Sequence, residues 1–320
     1  MTSVPLSGQH DAASLDLRCS VLTRGQGERP AGSATSSDHF LLVELPLPWP
    51  ASIDTHPVIE ALALSSEVAA SVRILGIRPP EARIPASRRN HHHVISYRHT
   101  PGTPFDGYRR SETSVSTDEL IPALRAITSG DRSRLDTVDN GIRDLLVCTH
   151  GTRDRCCGQM GSLLVTEVAD LLDENIRVWR TSHTGGHRFA PTAITFPDGM
   201  TWSYLDARLV SGILDRSIAP ADLVGHTRGC AGVPSRHLQV ADAAAFARVG
   251  WSWLEQPRNA VLVEQDDSSD RYEIHLTGAA RQFTVTMTSD EAVSVPVCGE
   301  PLAVAVKSSR QFTITSISEG

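Results

Sequence analysis

The chain has no surplus of positive charge. Its 30 Lys and Arg against 37 Asp and Glu leave a formal net charge of −7 over 320 residues. Recognition of nucleic acid needs concentrated Lys and Arg, so nucleic acid is excluded as the main partner. Long apolar runs are also missing: no stretch approaches the roughly 18 residues of a membrane span, and no membrane association is expected. The opening MTSVPLSGQHDAASLDLRCS lacks a basic region followed by an apolar one, and lacks the Arg-rich, acid-poor pattern of a transit peptide. A cytoplasmic location is therefore the expectation. Finally, no Cys-x-x-Cys occurs, which counts against a dithiol oxidoreductase.

Six cysteines are present, Cys19, Cys148, Cys156, Cys157, Cys230 and Cys298, and three of them fall within ten residues. In a long chain without a secretory signal this does not imply a disulfide framework, because the cytosol keeps thiols reduced. Clustered thiols there point to metal or redox chemistry. The length suits two domains of about 150 residues, and 40 % hydrophobic residues suffice for ordinary cores.

Four segments are expected. Residues 1–37, rich in Ser, Gly, Ala and charge, read as a flexible tail. Residues 38–140 read as an α/β domain: a strand at Phe40–Leu45, a helical stretch from Pro57 through Val72, strands at Arg73–Ile77 and His92–Tyr97, and a helix capped at Thr117-Asp118-Glu119. Residues 141–255 repeat the alternation more clearly. Asp144–Val147 is a strand, Gln159 to Leu172 a helix, and Ile176–Arg180 a strand. Ala193–Phe196 and Thr201–Leu205 flank the turn Pro197-Asp198-Gly199-Met200, and Asp206 caps a helix from Ala207 to Leu214. This order is that of a thioredoxin-like unit, and the first half is a looser version of it. Residues 256–320 alternate as antiparallel strands, a β appendage.

Two short segments carry chemistry. Cys148-Thr-His-Gly-Thr-Arg-Asp-Arg-Cys156-Cys157 places eight residues between Cys148 and Cys157, and His183-Thr-Gly-Gly-His187 follows 25 residues later. Each sits directly after a predicted strand, so adjacent parallel strands would bring both loops to one sheet edge. Thiolate sulfur suits iron in a sulfide cluster, and neutral imidazole can replace thiolate on one iron. Gly185 and Gly186 supply positive φ angles and room for close approach. Cys156, His150 and Arg188 are candidates for positions behind the ligands, and the helix after Cys157 adds a positive dipole end. His91-His92-His93 reads as surface or packing histidines, and Cys19, Cys230 and Cys298 as ordinary thiols.

At these residues the sequence resembles the sucrase/ferredoxin-like family, a branch of thioredoxin-like [2Fe–2S] ferredoxins. The match is Cys-x8-Cys followed by His-x-Gly-Gly-His, with Arg188-Phe189-Ala190, Thr149–Asp154, Pro197-Asp198-Gly199 and Trp202 also similar, over roughly residues 38–230. The resemblance implies one [2Fe–2S] cluster, with Cys148 and Cys157 on one iron and His183 and His187 on the other, in an electron carrier. Its donor and acceptor would be redox proteins that the sequence does not identify. No pair of carboxylates placed for glycosidase chemistry accompanies the family's name.

Histidine ligation would raise the potential of such a cluster and make it depend on pH. Two other readings use the same residues. One is a structural zinc site on the same two cysteines and two histidines. The other is a thiol-redox protein on a thioredoxin-like fold.

Overall fold

The structure is a computed structural model that describes residues 18–80, 90–137, 141–169, 175–266 and 271–320. In chain order, α1 (Cys19–Gly25) precedes β1 (His39–Glu44), α2 (Pro57–Glu60), α3 (Ser66–Ser71), β2 (Arg73–Arg78), β3 (His91–Arg98), β4 (Arg109–Ser116), α4 (Thr117–Thr128) and β5 (Asp136–Thr137). The second half runs β6 (Arg143–Cys148), α5 (Ser162–Val168), β7 (Ile176–Thr181), β8 (Ala193–Phe196), β9 (Met200–Trp202), α6 (Ala207–Leu214), β10 (Thr227–Cys230) and α7 (Arg236–Val249). Six further strands close the chain: β11 (Arg258–Asp266), β12 (Arg271–Gly278), β13 (Arg281–Ser289), β14 (Val293–Ser294), β15 (Ser308–Ser309) and β16 (Phe312–Glu319).

One ten-stranded sheet, ordered β10-β9-β8-β6-β7-β2-β1-β3-β4-β5, forms the centre. In the second half β6 and β7 are parallel and β8 and β9 antiparallel, which is the thioredoxin-like βαβ–ββα order. The first half repeats it, with β1 parallel to β2, then β3 and β4 antiparallel. The two halves join edge to edge, where Ile77 and Arg78 of β2 pair with Thr181 and Arg180 of β7. The sheet therefore crosses the boundary expected at residue 140. That joint also sets the His183 loop beside the first half.

Burial explains why the strands read as they do. All six residues of β1 are buried, with Leu41 and Val43 facing α2 and α4 and Phe40 and Leu42 facing the other side. A strand covered on both faces needs a continuous apolar run. By contrast β4, Arg109–Ser116, is largely polar and escapes a hydrophobicity reading. It exists because its backbone pairs with β3 over eight residues.

Three expectations change. The helical stretch expected from Pro57 to Val72 is two short helices, broken at Ala63 with φ +50° and restarted by Ser65, whose hydroxyl accepts from the Val68 amide. The helix expected from Gln159 begins as a π-type turn, Cys157–Gly161, and runs on as α5; its expected end at Leu172 lies outside the described residues. The flexible tail expected over 1–37 is folded from residue 18: α1 is capped by backbone bonds and Cys19 and Thr23 are fully buried. Residues 1–17 lie outside the described residues.

The C-terminal strands form the expected appendage, an antiparallel sheet ordered β11-β12-β13-β16. Tyr272, Ile274, Leu276, Phe283, Val285 and Met287 point alternately into the main core, so this sheet shares that core. Among the described residues no helix is long and apolar enough to cross a membrane.

Candidate functional site

The two loops that carry the motifs leave the sheet side by side, because β6 and β7 are parallel neighbours with Cys148 opposite Thr181. Cys148 is the last residue of β6, and its amide donates to the Thr192 carbonyl at 3.0 Å. The chain then turns through His150 and Asp154 before Cys156 and Cys157 open the π-type turn. Tight packing requires small residues here: a Cβ at Gly161 would run into the Cys148 carbonyl, and one at Gly158 into Gly151.

Cys148 and Cys157 are fully buried and interact as a pair. The Cys148 thiol is held well below its ordinary range, first by Cys157 and then, against the cost of burial, by the His183 imidazole. Cys157 is pushed well above it by Cys148 and by burial. The two opposite shifts come from the one interaction between these sulfurs. The rings of His183 and His187 lie 6.0 Å apart between centroids. The Nδ1 of His183 is buried and has no hydrogen-bond partner among the described residues.

Behind these four residues stands a shell of polar contacts. His150 accepts the His183 backbone amide on Nδ1 at 3.0 Å and reaches the Pro50 carbonyl from Nε2 at 2.8 Å. With Nε2 donating, its Nδ1 is an acceptor and the ring is neutral, as its burial-lowered basicity also favours. Asp154 uses Oδ1 to accept from the amides of Cys156 and Cys157, at 2.9 and 3.2 Å. Its Oδ2 lies 2.8 Å from Nδ1 of His187. Burial works against the Asp154 charge, but His187 and the two amides hold its carboxyl below the usual range.

Two arginines, the half-buried Arg73 and the fully buried Arg228, hold the histidine loop by its carbonyls. Arg73 donates to His183 O at 3.2 Å, and Arg228 donates to Gly185 O at 3.1 Å and to Ser33 O at 2.5 Å. Burial, followed by repulsion from Arg188 and Arg73, brings the Arg228 guanidinium down to about 9. Gly186, at φ +66°, leaves the space that this guanidinium fills. Arg188 is tied to the buried Glu28 by three hydrogen bonds, the shortest 2.6 Å. A cleft of about 390 Å³, lined in part by Asp54, Arg73, His150, Arg153 and His183, opens the histidine side to solvent.

A second group lies against the first. Cys19, Asp154, Cys156 and Cys298 each place one ligand atom within 4.8 Å of the others. Cys19 and Cys298 therefore correct the expectation of ordinary thiols. Nothing in their local sequence marks them, since they come from opposite ends of the chain. Asp154 does carry a local signal, since an Asp just before a helical turn is a recognisable cap for its amides. Cys230 remains apart at the end of β10, where it accepts from Arg258 Nη2 at 3.3 Å. Of the histidine tract, His92 packs by bonding the Glu44 carbonyl and Thr117.

Comparison with known proteins agrees with the family resemblance. Two curated proteins named "Altered inheritance of mitochondria protein 32" are similar. The one from Meyerozyma guilliermondii is 30 % identical over 97 residues, covering 27 % of this chain and 34 % of that protein. The one from Debaryomyces hansenii is 29 % identical over 104 residues, covering 29 % and 38 %. The matched stretch thus spans about a third of the length of these relatives. No solved structure matches. A model of the sucrase/ferredoxin-like family matches residues 30–229, which include both motifs and both thioredoxin-like halves, and the chain belongs to that family.

Proposed function

We propose that this chain is an electron carrier that holds one [2Fe–2S] cluster on Cys148, Cys157, His183 and His187. The observation that carries the reading is the chemistry of the donor set. Two fully buried cysteines, Cys148 and Cys157, stand at the site, and beside them a buried imidazole nitrogen, Nδ1 of His183, lacks any hydrogen-bond partner among the described residues. A buried polar atom without a partner costs about 1–3 kcal/mol, which a metal bond removes. When bound, such a cluster supplies a one-electron site whose potential is raised by its neutral ligands.

The chain's own groups do the rest. His150 fixes the His183 backbone, and Asp154 fixes the His187 ring through Nδ1. A proton held at that Nδ1 faces a carboxylate, the arrangement that keeps a ligand histidine oriented and basic. The charges of the half-buried Arg73 and the buried Arg228 beside the histidine loop favour added negative charge at the site. The cleft beside His183 is the side from which a redox partner would approach.

The test is anaerobic purification of the full chain with a visible spectrum and iron and sulfide analysis. The expected result is a reddish protein with about two irons and two sulfides per chain, bleached by dithionite. A chain with neither iron nor sulfide after attempted reconstitution would end the electron-transfer reading. A potential that stays flat from about pH 6 to 10 would remove its proton coupling.

A further inference from the structure

The three sulfurs of Cys19, Cys156 and Cys298 form a closed triangle. Cys19 to Cys156 measures 3.5 Å, Cys156 to Cys298 3.0 Å, and Cys298 to Cys19 3.2 Å. Asp154 Oδ2 stands 3.7 Å from the Cys19 sulfur and completes the group. Cys19 and Cys156 are fully buried, and Cys298 is half-buried in the turn after β14. Two of these residues, Cys19 and Cys298, lie outside the residues 30–229 that the family match covers. Neither belongs to the proposed cluster set.

Thiols are weak hydrogen-bonders, so these three sulfurs gain little from facing one another. They gain much from a shared cation. Zinc binds thiolate sulfur at about 2.3 Å, and a tetrahedral site at that bond length has sulfur–sulfur edges of about 3.8 Å. The observed edges of 3.0–3.5 Å reach it by opening by about 0.3–0.8 Å. Three thiolates and a carboxylate are borderline-soft and hard donors in the proportion zinc accepts, with no position left open for chemistry.

We propose that Cys19, Cys156, Cys298 and Asp154 bind one zinc ion, a structural site that uses none of the four motif residues but abuts His187, whose Nδ1 lies 3.4 Å from the Cys19 sulfur. Its place in the fold gives it a purpose. Cys19 belongs to α1, Cys156 to the motif loop and Cys298 to the appendage. One ion ties the N-terminal helix and the C-terminal sheet onto the loop that carries Cys157. Ser20, whose hydroxyl donates to the Cys156 sulfur at 3.5 Å, supports that thiolate from behind. Asp154 touches both groups, since the same oxygen faces His187.

The experiment is zinc analysis of the full chain, purified under reducing conditions and incubated with zinc, alongside three variants. The wild type, the Cys148→Ser/Cys157→Ser variant and the Cys230→Ser variant should each hold about one tightly bound zinc, and the Cys298→Ser variant should lose it. The Cys148→Ser/Cys157→Ser variant separates the two proposals, because it removes the motif thiols and leaves the triangle intact. If Cys298→Ser fails to fold, cobalt(II) replacement in the wild type decides: thiolate-to-cobalt absorption that survives in Cys148→Ser/Cys157→Ser supports the site. A wild-type chain without zinc, a zinc lost with Cys148 and Cys157, or a metal-free disulfide within the triangle would each overturn it.

Discussion

Asp154 and His187 are joined side chain to side chain, Oδ2 to Nδ1, at 2.8 Å. The same carboxylate caps the amides of Cys156 and Cys157 with its other oxygen. One buried residue therefore orients a group in each motif segment, although 33 positions separate it from the histidine. A carboxylate in this position sets the tautomer of a ligand histidine.

Asp154→Asn keeps an oxygen for the two amides but turns an amide donor toward His187. On the proposed function, this variant should retain iron about 10–100-fold less well than wild type, the usual cost of losing such a contact. The rate of visible bleaching under chelator challenge measures it. Equal rates for both proteins would show that Asp154 does not orient the histidine.

Asp144, at the start of β6, joins the two halves. It is fully buried and accepts from Arg177 Nε and Nη2 at 2.8 and 2.9 Å, from Trp179 at 2.6 Å and from Tyr97. Tyr97 comes from β3, while Arg177 and Trp179 come from β7. Asp144→Ala leaves Arg177 without its main partner and should cost about 3–5 kcal/mol in a denaturant titration. A loss below about 1 kcal/mol would mean that Glu112, 2.9 Å from Arg177, compensates for the missing charge.

His39 carries a pH dependence. Burial first, then Arg98 and Arg132, lower its pKa from 6.5 to about 3, and its Nε2 meets Ser96 Oγ at 3.0 Å. The folded protein keeps this ring neutral, while the unfolded chain takes up a proton below pH 6.5. Unfolding therefore binds protons, and this stabilisation is present above pH 6.5 and lost as pH falls toward about 3. The effect is on the order of a few kcal/mol at full extent. His39→Gln should melt over a smaller temperature range than wild type between about pH 7 and 4. Identical pH profiles would rule the group out as a contributor.

Gly161→Ala introduces a Cβ against the Cys148 carbonyl, which is backbone and cannot rotate away. It should destabilise the protein by about 1–3 kcal/mol and displace the end of β6 that carries a proposed ligand. Gly225→Ala, with open space around its Cβ, is the control. Comparable melting temperatures for the two variants would contradict the packing argument.

What the sequence determined by itself is local. The strands at Asp144–Val147 and Ile176–Arg180, the turn at Pro197-Asp198-Gly199-Met200 and the helix that Asp206 caps follow from apolar runs and turn chemistry within a few residues. The helix is capped through a 2.7 Å bond to the Leu209 amide. The motif residues were legible for the same reason, since their spacing lies within one βαβ unit and one following loop. Tertiary structure decided whatever depends on pairing across the chain. The polar strand β4 exists by virtue of β3, and the two halves become one sheet through β2 and β7. Cys19 and Cys298, 279 residues apart, meet at 3.2 Å. No local signal encodes that meeting, because the contact is fixed by where α1 and the appendage dock on a shared core.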